Sequence, residues 1–242
     1  LGLVNSREAL VAFADPTIFL FFGGFAIATA LNVQKIDKMI SNKIMQLAKG
    51  RLFVAVLYLF LATAFLSMWM SNTATAAMMI PLSMTILSQL DQKEEHNTYV
   101  FVLLGIAYSA TIGGMGTLVG SPPNAIAASQ LHLDFADWLM YGTPVMLILF
   151  PLIIGWLYIV FKPKLGLHFA AEFEKIHMTK QRVLTLVIFI TVAILWIFGG
   201  YLNPIISQLL GLPKPIGSFD SMVALSAAIV ICVTGIASWK EV

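Results

Sequence analysis

Charged residues are scarce in this chain. Only 11% of its 242 residues are Asp, Glu, Lys or Arg, whereas 59% are hydrophobic, and the mean hydropathy is +0.89. A soluble domain carries about 25% charged residues. The composition therefore argues against an ordinary soluble domain and against a nucleic-acid-binding module, and it predicts an all-α integral membrane protein in the lipid bilayer.

Cysteine is also nearly absent, because Cys232 is the single one and lies inside an apolar run. It cannot form an intrachain disulfide, and no neighbouring ligand suggests a metal site. The sequence begins with Leu1 and shows no signal-peptide pattern of a basic start, a short apolar core and a cleavage site. We expect it to be a fragment of a longer protein or a processed form.

Acidic, basic and histidine side chains are missing from the centres of the apolar runs. Asp134 and Asp137 lie at an apparent interface, and Asp220 starts the last run. This pattern argues against a proton relay or a voltage sensor. It also argues against intramembrane hydrolysis with paired carboxylates or a zinc ion, so we expect no enzyme.

Long uncharged runs are what the sequence has instead, and a membrane helix needs about 20 such residues. These runs cover residues 16–31, 52–90, 97–133, 138–161, 183–213 and 221–239. Asp15–Pro16 predicts the start of the first helix, and Thr143–Pro144 predicts a helix start near residue 144. Asn203–Pro204 and Pro213–Lys214–Pro215 predict the connection before the last run.

Two of these runs are too long for one crossing. Residues 52–90 as one helix would reach about 58 Å, against a hydrocarbon core of about 30 Å. The middle of that run is polar, Ser71-Asn72-Thr73-Ala74-Thr75. The 97–133 run is interrupted by the glycines of 113–117 and by Gly120-Ser121-Pro122-Pro123-Asn124, which will not continue a regular helix.

Basic residues concentrate in two connections and predict the orientation. Residues 32–51 hold five of them, and residues 162–182 hold Lys162, Lys164, Lys175, Lys180 and Arg182, so together they carry ten of the fourteen. Positive-inside reasoning places both connections in the cytoplasm, and we expect the cell inner membrane as the location. The connections 1–15 and 202–220 contain few basic residues, so we expect them to lie on the external side of the membrane.

Parity follows from this orientation. The chain between the two cytoplasmic connections crosses an even number of times, and 97–133 and 144–161 supply two crossings. Residues 52–90 therefore form a re-entrant hairpin or a pair of full spans, and the polar centre of the run favours the hairpin.

Residues 33–49 have helical spacing of apolar positions and predict an amphipathic helix on the cytoplasmic membrane surface, with a solvated linker as the alternative.

The two interruptions predict an ion and anion site. Half-helices beginning near Ala74 and Pro122 would present N–H groups and partial positive charge to an anion. Half-helices ending near Met70 and Ile112 would present carbonyl groups to Na⁺. Broken helices near the middle of the membrane are a known arrangement in secondary transporters. Hydroxyls and glycines also occur in ordinary helix packing, so neither interruption alone would be sufficient evidence.

The motifs Ser71-Asn72-Thr73 and Gly116-Thr117-Leu118-Val119-Gly120-Ser121-Pro122-Pro123-Asn124 resemble the divalent-anion:sodium symporter family of dicarboxylate and citrate carriers. That family usually has Thr where this chain has Ser121. The resemblance implies two inverted repeats, each with a re-entrant hairpin, a homodimer, and an elevator-like movement. Residues 1–182 would form most of the first repeat, and 183–242 the first two spans of the second.

The resemblance also implies roles for individual residues. Ser71, Asn72, Thr73, Gly120 and Ser121 would contact the substrate. Ser67, Ser71, Asn72 and the Gly120 carbonyl would hold a sodium ion. No second Ser-Asn-Thr occurs in this sequence, so the partner half of the transporter would have to supply the rest of the anion site.

We therefore expect a secondary active transporter that couples Na⁺ to a small divalent anion, with a C4-dicarboxylate such as succinate as the first choice. A citrate or sulfate carrier is the alternative. A passive anion channel ranks lower, because a channel needs a continuous polar pore and the runs show no charged ring.

Overall fold

The computed structural model describes residues 15–168 and 176–241, and this part of the chain is helical without a named strand. These described ranges form ten helices, α1 (Pro16–Val33), α2 (Ile36–Leu47), α3 (Leu52–Ser67), α4 (Asn72–Leu87), α5 (His96–Gly113), α6 (Pro122–Leu131), α7 (Phe135–Phe161), α8 (Lys180–Ile197), α9 (Gly199–Leu209) and α10 (Phe219–Val233). The all-α fold class is confirmed. Lys175 and the other residues of 169–175 lie outside the described residues, as do 1–14.

Within the described residues, three helices are long and apolar enough to cross a membrane, namely α1, α7 and α8. Asp15 caps α1 as predicted, since its carboxylate accepts a hydrogen bond of 2.8 Å from Thr17 N, and Pro16 follows it. The side chains of α7 are mostly exposed along its apolar length, which suits a helix surrounded by lipid.

Two sequence-based boundaries are wrong. The fourth span begins at Phe135 and not near 144, because Asp134 and Asp137 form a capping box that starts the helix earlier. Pro144 lies inside α7. Pro204 likewise lies inside α9, and the connection before the last helix comes after it.

The 52–90 run folds into two antiparallel helices, α3 and α4, joined at residues 68–71. Each has 16 residues and is therefore about 24 Å long. That length falls short of a hydrocarbon core of about 30 Å. The structure thus has the predicted polar break at the centre of the run, between two helices that are each too short for a full crossing.

The open end of this helix pair lies beside the basic connection that follows α7. Leu52 N donates to Leu167 O at 3.1 Å, and Lys164 forms an ion pair of 2.9 Å with Glu95. Lys164 N also donates to the Thr98 hydroxyl at 3.0 Å. The start of α3, the start of α5 and residues 162–168 therefore share one end of the molecule, as the parity reasoning requires.

Two hydrophobic cores hold the helices together. One joins α1, α8 and α10, with Trp196 and Phe135 stacked at 4.7 Å between ring centroids. The other joins α3, α4, α5 and α7, where the Phe60 and Phe101 rings meet edge to face at 5.5 Å. Leu118 and Val119 of the 114–121 break belong to the first core, and Trp69 of the 68–71 break packs against it.

The predicted surface helix is present as α2. It is amphipathic, but its apolar side contributes Ile36 to the first core and packs Met39 and Ile40 onto the protein. The structure thus accounts for much of its apolar face by helix packing. Its position on a membrane surface stays a prediction.

Candidate ion and anion site

The two helix interruptions contact each other. One separates α3 from α4 at residues 68–71, and the other separates α5 from α6 at residues 114–121. The fully buried Thr117 donates its hydroxyl hydrogen bond to Met68 O, and so joins the second interruption to the first. The Ser67 hydroxyl oxygen, at the end of α3, also lies 2.7 Å from Ala110 O in the last turn of α5, just before the second interruption.

Ser67 lies at the centre of a cluster of oxygen atoms. Its hydroxyl oxygen is 2.7 Å from Asn72 Oδ1 and 2.7 Å from Ala110 O. A hydroxyl has one proton, so only one of these contacts is a hydrogen bond. The remaining contact brings two oxygen atoms together without a proton between them. A cation bound to both oxygens would stabilise that contact. Rotation of the Asn72 amide, so that its nitrogen faces the Ser67 hydroxyl, would do so as well. The side chain of Ser67 is fully buried.

Two glycines allow the backbone to approach this cluster. A Cβ atom on Gly120 would lie 2.6 Å from Gly114 O and 2.9 Å from Ser67 O. A Cβ atom on Gly114 would lie 2.2 Å from Asn72 Oδ1. A Cβ at Gly120 would therefore meet backbone atoms, and a Cβ at Gly114 would displace the Asn72 amide. The result is a small region bounded by carbonyl, amide and hydroxyl oxygens, which is the donor set of hard cations.

Ser71 and Thr73 lie at the start of α4 on the open side of the cluster. Ser71 is the N-cap residue, and its hydroxyl accepts a hydrogen bond of 3.2 Å from Ala74 N. Ser71 and Thr73 are exposed, whereas Asn72 is half-buried. Ser71 faces a cavity of about 670 Å³ between the α3–α4 turn and α1. The N-terminus of α4 thus borders open space, although Ala74 N is already bonded to the Ser71 hydroxyl.

The start of α6 differs from its expected role. Pro122 and Pro123 occupy its first two positions and have no N–H group. Asn124 N donates to Ser121 O at 3.1 Å. The expectation of free amide donors just after Pro122 is therefore wrong, and the helix-terminal attraction for an anion rests on α4. Ser121 itself is half-buried at the interruption.

Asn124 has a structural role that the sequence did not reveal. Its buried side-chain amide donates to Gly114 O at 2.7 Å and to Thr117 O at 2.8 Å. Trp138 Nε1 on α7 donates to Met115 O at 3.0 Å. These bonds occupy carbonyl groups that the broken helix would otherwise leave without partners. An Asn at the third position of a helix is a weak sequence signal, and a tryptophan 23 residues from its acceptor gives none.

A second cavity, of about 580 Å³, lies at the other end of α1. Asp15, Asp134 and Asp220 line it, together with His132. Three carboxylates make this cavity unfavourable for a divalent anion. The space beside Ser71 is the better candidate, since Glu241 is the one carboxylate among the described residues of its lining and the N-terminus of α4 borders it.

We expect Thr117→Val to uncouple the two interruptions while preserving the side-chain shape. The change removes the donor to Met68 O and the acceptor for Gly120 N, which lies 3.2 Å from the hydroxyl. Each buried group left without a partner costs about 1–3 kcal/mol. We therefore expect a lower melting temperature and uptake reduced by at least about tenfold, measured in proteoliposomes. Thr117→Ser should retain most of both.

Thr111→Val is the matched control for that variant. Thr111 is exposed on α5, and its hydroxyl bonds only to Ala107 O of the same helix, at 3.0 Å. Its loss should change neither stability nor uptake appreciably. Equal effects of the two valine variants would contradict a specific role for Thr117.

Comparison with known proteins supplies independent evidence about this chain. A family model described as citrate transporter matches residues 1–242. An uncharacterized transporter of Haemophilus influenzae is 71% identical over 242 residues, covering 100% of this chain and 52% of that protein. An uncharacterized transporter of Methanocaldococcus jannaschii is 39% identical over 234 residues, covering 96% of this chain and 51% of that protein.

A more distant relative has a more specific name. The sodium-dependent dicarboxylate transporter SdcS of Staphylococcus saprophyticus is 31% identical over 174 residues, covering 65% of this chain and 33% of that protein. The chain thus spans about half the length of the first two relatives and about a third of this one.

Proposed function

The chain belongs to the citrate transporter family, whose members are transporters and not enzymes, and we propose that it forms part of a sodium-coupled symporter for a small divalent carboxylate. The observation that carries the proposal is the oxygen cluster around Ser67. It brings Asn72 Oδ1, Ser67 O and Gly114 O together at the contact between two broken helices. The dicarboxylate transporter SdcS is named as sodium-dependent, which agrees with a cation at this position.

We assign the sodium ion to Ser67, Ser71, Asn72 and the Gly120 carbonyl. Ser67 and Asn72 touch, and Gly120 packs beside the Ser67 carbonyl. Ser71 supplies a hydroxyl oxygen from the cap of α4, and it would have to release Ala74 N or share its second lone pair with the ion. Oxygen ligands without a carboxylate suit a monovalent cation, because a full negative charge is unnecessary.

The anion would lie next to the sodium ion, at the start of α4. Ser71, Asn72 and Thr73 would bind one carboxylate with hydroxyl, amide and backbone donors, and the helix terminus adds partial positive charge. Gly120 and Ser121 would line the same side from the second interruption. A bound Na⁺ beside the anion supplies the positive charge that these side chains lack.

The membrane arrangement is part of the proposal. A re-entrant hairpin is supported by the two short helices α3 and α4 and by the contacts of Leu52 and Glu95 with residues 162–168. Location in the inner membrane, a homodimer, a second half that completes the anion site and an elevator-like movement stay predictions from the charge pattern and the family resemblance.

Two substrates have support from the comparisons. The name of SdcS favours a dicarboxylate, and we take succinate as the first choice. The family description favours citrate, which makes citrate the second candidate, and sulfate remains an alternative on charge alone. Competition of succinate uptake by unlabelled citrate and sulfate would rank the three.

Replacing sodium is the first test of the proposed function. Succinate uptake into proteoliposomes with the complete transporter should fall to background when external Na⁺ is replaced by K⁺ or choline. Coupling requires that sodium occupancy raises the affinity for the anion. Undiminished uptake without sodium would overturn symport, and uptake that follows only the succinate gradient would favour the channel.

A further inference from the structure

A strong positive charge covers the outer side of the α2 segment. Residues 32–51 contain five basic side chains and one acidic one, Asp37. The basic residues that are exposed are Lys35, Lys38, Lys43, Lys49 and Arg51. Asp37 is fully buried and accepts hydrogen bonds from Asn32 Nδ2 at 3.0 Å and from Lys38 N at 2.7 Å. The segment therefore shows no exposed carboxylate that could neutralise its lysines.

A groove runs between this helix and α4. It has a volume of about 200 Å³, and we call it the α2–α4 groove. Its lining residues are Lys38, Ser41 and Asn42 on α2, and Met78, Pro81, Leu82 and Thr85 on α4. One wall is thus cationic and polar, and the opposite wall is mainly apolar.

The apolar wall continues onto the outer face of α4. Ile80 and Met84 are 40% and 38% exposed there. At the deep end of the contact, the Ser41 hydroxyl lies 3.6 Å from Met79 Sδ, so α2 and α4 already touch beneath the groove. A molecule that fills the groove would contact both the surface helix and the hairpin.

The chemistry of the two walls selects an amphiphile with a negative head. A soluble anion would use Lys38 and leave the apolar wall of Pro81 and Leu82 uncovered. An uncharged lipid would leave the exposed lysines without a partner. An anionic phospholipid satisfies both walls, and basic clusters beside a membrane attract such lipids by about 1 kcal/mol per Lys or Arg.

We propose that the α2–α4 groove binds one anionic phospholipid of the cytoplasmic leaflet. Its phosphate contacts Lys38, and its acyl chain lies along Pro81 and Leu82 on α4. The lipid holds the surface helix against the hairpin that begins at Asn72, and it thereby stabilises the arrangement of the transporter. This inference goes beyond symport, and it can fail while sodium coupling stands.

The test uses the complete transporter in detergent, with short-chain phosphatidylglycerol or phosphatidylcholine added. Phosphatidylglycerol should raise the melting temperature of the wild type, and phosphatidylcholine should not. Lys38→Gln should weaken the apparent affinity for phosphatidylglycerol about fivefold, as expected for the loss of one lysine contact. Lys93→Gln, an equal charge change in the exposed α4–α5 connection, should leave it unchanged.

A second pair of variants keeps the proposal testable if Lys38→Gln does not fold. Thr85 is exposed at the rim of the groove, so Thr85→Glu should repel the phosphate and abolish the shift, whereas Thr85→Gln should retain it. Equal responses of the Lys38 and Lys93 variants would overturn the site. If glycerol phosphate raised the melting temperature equally, the groove would be a site for soluble anions and not for a lipid. If phosphatidylcholine raised it equally, the groove would not select a negative head group, and the proposal would be overturned.

Discussion

Asn72→Ala should abolish sodium-dependent succinate uptake and weaken the binding of both ligands. Its amide oxygen lies 2.7 Å from the Ser67 hydroxyl and borders the space next to Gly114. Losing one bond to a charged group costs about 1.5–3 kcal/mol, or about tenfold to 150-fold in sodium affinity. Because the same residue begins α4, the carboxylate also loses a donor. Uptake and sodium-dependent thermal stabilisation measure the two effects.

Asn97→Ala is the control for this variant. Asn97 is an exposed amide near the start of α5, at the opposite end of the hairpin. Its removal should leave uptake near the wild-type rate. Wild-type transport by Asn72→Ala would remove the hairpin turn from the site, and equal losses in both variants would indicate a general sensitivity to amide removal.

Gly120→Ala should damage both folding and transport strongly. The added Cβ would lie within 3 Å of two backbone carbonyl oxygens, those of Gly114 and Ser67. Backbone atoms cannot move aside as a flexible side chain can, so the two interruptions would be forced apart. Overpacking of this kind costs about 1–3 kcal/mol. We expect a lower melting temperature and uptake reduced to background.

Gly155→Ala supplies the matched control, because a Cβ at Gly155 on α7 would meet nothing within 4 Å. Both substitutions add one methyl group to a glycine, and they differ only in the space around it. Gly155→Ala should retain full uptake and stability. If Gly120→Ala behaved in the same way, the close approach of Gly120 to the Ser67 carbonyl would have no functional importance.

The interruptions themselves could be predicted because their signals are local. Ser71-Asn72-Thr73 combines cap-forming side chains with an over-long apolar run, and Pro122–Pro123 cannot continue a helix. The structure accordingly starts α4 at Asn72 and α6 at Pro122. Local steric rules and hydrogen-bonding preferences decide both positions.

The boundary of α7 could not be predicted in the same way, because two local signals competed. Thr143–Pro144 resembles a helix start, but the reciprocal bonds between Asp134 and Asp137 begin the helix earlier. An established helix then tolerates Pro144 in its interior, as membrane helices often do. The preference for the stronger cap becomes visible only when both side chains can be located.

The contacts between the two interruptions could not be predicted from the sequence either. Thr117 joins Met68 across 49 positions of the chain, and Asn124 turns inward to Gly114 and Thr117. Threonine and asparagine near a break have many possible partners, so their types do not specify these bonds. The predicted sodium ligands Ser67, Asn72 and Gly120 were named by resemblance, and the structure brings those three residues together.

Reciprocal binding of sodium and substrate tests the central claim most directly, since the two ligands are proposed to share one pocket. Titration calorimetry on the complete transporter would measure succinate affinity with and without Na⁺, and sodium affinity with and without succinate. The two ratios should both exceed one and be equal, because coupling free energy is reciprocal, and Asn72→Ala should bring both toward one. Succinate affinity that is independent of sodium in the wild type would contradict a shared pocket.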